Sequence, residues 1–201
     1  MRSRYLIPDE LTAVFSHLEP SRRLLYEITL NTGLRIGDAC KVRKSDLTEA
    51  DGGRLLLKYE AEKTGKRGIA VLTGDLADKV RRAPKGRRGF LFPSDRARSG
   101  HVTRQAAWLW FKRAAKDAGV NIDGVSPHAL RKNFAVEVRH RDGLEAAREL
   151  LQHDRAATTS IYAFSDVYAG KADEPILWSQ VDELVELVAQ RLASEQKKNP
   201  R

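Results

Sequence analysis

The sequence predicts a mainly α-helical fold carrying a small antiparallel β-sheet, an α+β domain. Apolar residues recur at helical spacing through most of the 201 residues. One stretch alone, "GRLLLKYEAEKTGKRGIAVL", reads as two strands joined by a turn. No internal repeat or low-complexity linker divides the chain, so one domain is expected over residues 1–201, its core at 8–168 and a C-terminal helix and tail at 175–201.

Each element has a local reason. "PDELTAVFSHL" opens with Pro and acids and places Leu11, Val14, Phe15 and Leu18 on one stripe. "SRRLLYEITLNTG" has Ser21 as an expected N-cap and Gly33 as a stop. Strands follow at 54–60 and 67–72, joined near Lys63-Thr64-Gly65-Lys66. A helix is expected from Asp75 to about Arg82, then a Gly/Pro-punctuated basic region in which "GFLF" adds a short strand. "TRQAAWLWFKRAAKDAG" is a helix with Ala107, Phe111, Ala114 and Ala118 on its buried face and Gly119 as its stop. "SPHALRKNFAVEVRHRDG" starts with Ser126 as N-cap and Pro127 at the first helical position. Two short helices, "LEAARELLQH" and "AATTSIYAF", precede a longer one, "LWSQVDELVELVAQRLASE", striped by Val181, Leu184, Val185 and Val188.

Composition narrows the function. The single cysteine, Cys40, excludes an intramolecular disulfide framework, and no Cys/His pairs stand at zinc spacing, so no structural metal is expected. No apolar run approaches the roughly 20 residues needed to span a bilayer, and the start lacks a signal-peptide core. A cytoplasmic protein is expected. The net charge is +9, and residues 79–113 alone carry eleven Lys or Arg against one acid, Asp95. That window points to a polyanion, with Arg81, Arg82, Lys85, Arg87, Arg88, Arg96, Arg98 and Arg104 as candidate DNA contacts. The alternative is a solvated basic face.

Ionisable side chains also occur where a core or a cap would be expected. Arg35 sits among apolar residues just after Gly33; it is either a surface arginine whose stem covers the core or a placed cation. His128 and Arg131, three apart, share a face at a helix N-terminus, which favours an anion. Lys63 and Lys66 flank a hairpin turn. His153 and Tyr162, nine apart, would face opposite ways on one continuous helix, so a break within "HDRAATTS" is needed to bring them together. Arginines, histidines, a lysine and a tyrosine are what metal-free phosphoryl transfer requires: fixed donors for the non-bridging oxygens, a nucleophile, and an acid for the leaving oxygen.

In chain order, "TGLRIGDACKVRKSDL", "EKTGKRGIAVL", "SPHALRKNF" and "LLQHDRAATTSIY" resemble the tyrosine recombinase (phage integrase) family over most of residues 8–164, the extent of its catalytic domain. The resemblance implies that fold, double-stranded DNA as substrate, no cofactor, and a 3′-phosphotyrosyl intermediate formed without metal or ATP. It makes Arg35, Lys63, His128, Arg131 and His153 the residues that act on the phosphate and Tyr162 the nucleophile, with Asp38 supporting them; Lys66 is the rival for the lysine role. Such enzymes, encoded by bacteria and phages, work as tetramers on DNA, often joined through a C-terminal helix. Two residues depart from the pattern: Gln152 replaces a usual Gly, and Asn133 a usual small hydroxyl residue. The family's preceding core-binding domain is also expected to be absent. Two rival readings share the fold, a type IB topoisomerase and a non-catalytic DNA-binding module; an RNA-binding helical domain is disfavoured by the lack of interleaved aromatics in the basic stretch.

Overall fold

The structure, a computed structural model, describes residues 3–142. The three helices expected beyond Gly143, and with them His153 and Tyr162, lie outside the described residues. The order of elements is α1 (Pro8–Ser16), α2 (Pro20–Thr32), α3 (Ile36–Ala39), β1 (Leu47–Ala50), β2 (Arg54–Glu60), β3 (Arg67–Leu72), α4 (Gly74–Arg82), α5 (Arg104–Asp117) and α6 (Pro127–Asp142). Among the described residues one antiparallel sheet runs β1-β2-β3, with helices packed against one side of it.

Helix boundaries follow the local signals closely. Pro20 rather than Ser21 opens α2, because its fixed φ suits the first turn; Glu19 takes the flanking position. Gly33 ends that helix in the left-handed conformation at φ 66°, its N–H donating to the Thr29 carbonyl at 3.0 Å. Thr103 caps α5, its hydroxyl accepting from Ala106 N at 3.1 Å. On α5 the buried face is Ala107, Phe111, Ala114 and Ala115; Ala118 is only partly covered.

β2 and β3 pair as expected, with Leu55, Leu57 and Leu72 facing the helices. The sequence reading missed β1. Asp51-Gly52-Gly53 turns the chain into β2, both glycines near φ +70°, and Ala50 pairs with Arg54. The "GFLF" segment forms no strand. It makes one isolated bridge, Phe90 to Arg43, with a second from the adjoining Pro93 to His101, and buries Phe90, Leu91 and Phe92 as an apolar plug.

Two polar contacts lock the core in register. The buried Tyr26 hydroxyl donates to the Ala107 carbonyl at 2.6 Å while its ring tilts against Phe111, joining α2 to α5. Asn133 on α6 clasps the N-terminal segment: its amide donates to Leu6 O at 2.6 Å, and its carbonyl accepts from Leu6 N at 3.3 Å. A small hydroxyl could not span both peptide groups, so this departure from the family pattern has a structural use.

Candidate active site

The turn after α2 sets the first candidate. With Gly33 left-handed, Arg35 takes an extended conformation (φ −64°, ψ 141°) just ahead of α3. Asp38 follows one turn later and is buried, at 9% exposure. Its Oδ1 accepts from the Glu62 N–H at 3.2 Å, tying this junction to the base of the β2–β3 turn. Its Oδ2 is buried without a hydrogen-bond partner. That turn is closed by Gly65 N–H to Ala61 O at 2.7 Å and Ala61 N–H to Lys66 O at 2.8 Å, with Gly65 at φ 66°.

α6 supplies the next pair. Arg131 is only 4% exposed, and its Nη1 donates to the Gly33 carbonyl at the C-terminal end of α2. That is the negative end of a helix dipole, which favours a cation without neutralising it as a carboxylate would. His128, one turn earlier, is exposed to solvent. Burial of the ring and the nearby charges of Arg131, Lys132 and Arg35 all disfavour the imidazolium and push its pKa down to about 4. The ring is therefore neutral at pH 7 and able to accept a proton.

These residues share one cleft of about 920 Å³, lined by Arg35, Asp38, Lys63, His128 and Arg131 from three separate chain segments. Of the two turn lysines, Lys63 lines it. Arg104 belongs here as well, at the first position of α5, so it stands apart from the rest of the basic window. Gln105, Trp108 and Leu109 complete that wall, with Trp108 43% and Leu109 59% exposed. The signal for them was "WLWF", which holds more apolar residues than one buried helix face can take. The acids do little to cancel the positive field: Glu62 pairs outward with Lys41 at 2.8 Å, which lowers its pKa. Among the described residues, no three His, Cys, Asp or Glu side chains are grouped to hold a metal.

The basic window divides into structural and free cations. Arg81 binds Glu49 at 2.8 Å, Asp78 at 2.7 Å and the Gly53 carbonyl at 2.9 Å, fastening α4 to the β1–β2 turn. Arg88, at φ 58°, donates to Arg98 O at 3.2 Å, and its stem crosses Gly100, where a Cβ would meet it at 3.0 Å. Arg82, Lys85, Arg96, Arg98 and Arg104 are exposed, and their side chains have no hydrogen bond or ion pair among the described residues. The side chain of Arg87 lies outside the described set.

Comparison with known proteins adds four matches. The pattern of the phage integrase family matches residues 4–167. The tyrosine recombinase XerA of Thermococcus kodakarensis is 30% identical over 165 residues, covering 78% of this chain and 56% of its own. Among solved structures, the lambda integrase catalytic core superposes with a TM-score of 0.61 at 25% identity, over 77% of this chain and 93% of that one. A lambda integrase tetramer bound to a Holliday junction gives 0.61 at 24%, over 78% and 48%. The chain spans about half the length of the curated relatives it matches.

Proposed function

The chain belongs to the phage integrase family, and from that premise we propose that it is a site-specific DNA recombinase acting through a 3′-phosphotyrosyl intermediate. The observation that carries this reading is the convergence of Arg35, Asp38, Lys63, His128 and Arg131 on one cationic cleft. Tyr162 attacks the scissile phosphate. Its Oη–P bond forms as the P–O5′ bond breaks, and neutral His128 takes the phenolic proton. Arg35, Arg131 and His153 hold the charge that builds on the non-bridging oxygens. Lys63 protonates the departing 5′-oxygen. A 5′-hydroxyl from a second duplex reverses the step on a new partner, so the phosphodiester energy is kept and no ATP is consumed. Asp38 supports the constellation through the Glu62 backbone.

On this reading the partners are double-stranded DNA and further copies of the chain. The tetrameric assembly of lambda integrase on a junction supports a tetramer here, joined through the C-terminal helix. The enzyme works without a metal or other cofactor, in the cytoplasm of a bacterium or a phage host. The test is covalent trapping on a nicked suicide duplex in the presence of chelator. Wild type is expected to form a protease-sensitive protein–DNA adduct, and Tyr162→Phe to bind DNA but form none. An adduct that persists in Tyr162→Phe, or a strict magnesium requirement, would refute the mechanism.

A further inference from the structure

Along the inner face of β2 and β3 the cross-strand pairs are Leu55–Leu72, Leu57–Ala70 and Tyr59–Gly68. The third differs in kind. The half-buried Tyr59 ring lies flat over Gly68, where a Cβ would stand 2.6 Å from both the phenolic carbon Cζ and the hydroxyl oxygen. The backbone of Gly68 lies outside the left-handed region, so the chain does not need glycine there. The phenol does. Tyr59 lines a hollow on the sheet side of the molecule, and Asp38 lines both that hollow and the candidate active site. Asp38 is thus a wall between the two, and Tyr59 flanks it from behind.

We infer that Tyr59 is a positioning residue for the active site: its ring, seated on Gly68, braces the sheet-side wall against which Asp38 is held. Burial raises the pKa of the phenol, and the charges of Arg131, Asp38 and Arg35 all reach it, which places the hydroxyl in the field of the cleft while keeping it neutral. The inference rests on the recombinase reading above.

The test compares Tyr59→Leu and Tyr59→Phe with Gly68→Ala, the last made in both wild-type and Tyr59→Leu backgrounds. Single-turnover cleavage at saturating DNA, DNA affinity and Tm are measured on the full chain. Tyr59→Leu, which removes the bracing ring, is expected to slow cleavage by about 5- to 10-fold, with affinity within about twofold, whereas Tyr59→Phe, which keeps the ring on Gly68, should slow it by less than about twofold. Gly68→Ala should slow cleavage at least as much when Tyr59 is present. It should cost less than about twofold in the Tyr59→Leu background, where the atoms it meets are gone. Cleavage by Tyr59→Leu at the wild-type rate, or an equal cost of Gly68→Ala in both backgrounds, overturns the inference while leaving the recombinase reading intact. A wild-type chain that forms no covalent adduct on DNA overturns that reading, and this inference with it.

Discussion

The cleft and the basic segment after α4 are both cationic, but they hold their charge differently. In the cleft, Arg131 is withdrawn from solvent and held by the Gly33 carbonyl, a neutral partner at a helix end. At the end of α4, Arg81 is consumed by Glu49 and Asp78, while beyond it Arg96 and Arg98 stand exposed and, among the described residues, without an ion pair. Charge withdrawn from solvent and fixed in place is preorganised for a transition state, whereas exposed charge attracts any phosphate and is screened by salt. A substitution in one region should therefore change the rate, and in the other, binding.

The largest separation is expected at Arg131. Arg131→Lys keeps the charge but loses the planar fork, and single-turnover cleavage should fall by about 100-fold or more, with DNA affinity within about threefold. An equal loss in affinity would erase the distinction between the two regions. Next comes the pair Arg96→Gln and Arg98→Gln. Together they should weaken binding to all DNA sequences and lower the slope of log K against log salt by about 1 for each lost phosphate contact. Cleavage at saturating DNA should stay the same.

A smaller effect concerns pH. His128 titrates near its ordinary value when unfolded and at about 4 when folded, so the unfolded chain binds more protons between those values. Stability is therefore fully present above about 6.5 and declines as pH falls toward 4. His128→Gln, neutral throughout, should flatten that part of the Tm–pH curve. The difference should be no more than about 2 °C, since His128 is exposed to solvent. Identical curves for the two proteins would show that the ring is not held neutral. The smallest effect is expected at Arg81: Arg81→Gln should lower Tm slightly through its lost ties to Glu49 and Asp78, and leave the salt slope of DNA binding unchanged.

Much of the fold was legible because its signals are local. Gly33, Pro127 and the Lys63–Lys66 turn each mark a boundary within a few residues. β1 was not legible: four residues, two of them exposed, show no period, although Asp51-Gly52-Gly53 marked the turn after it. "GFLF" looked like a strand because burial and strand formation share an apolar signature; it is instead a plug in a Gly/Pro-bounded loop. The site was legible only in part. Arg35, Lys63, His128 and Arg131 come from segments whose meeting depends on tertiary packing, and their order along the chain identified them through a resemblance rather than through spacing. Arg81 could not be told from Arg82 in sequence, because its partner Glu49 lies 32 residues away. Tyr59 and Trp108 were passed over because an aromatic residue at strand or helix spacing reads by default as core.

The central claim is that the cleft cations divide the chemistry, Lys63 acting on the leaving oxygen and Arg131 on the phosphate charge. It is tested most directly with a suicide duplex whose scissile bridging 5′-oxygen is replaced by sulfur, a leaving group that needs no proton. Cleavage of this substrate by Lys63→Ala should recover to near the wild-type rate, while Arg131→Lys should remain slow. Rescue of both variants, or of neither, would contradict the assignment.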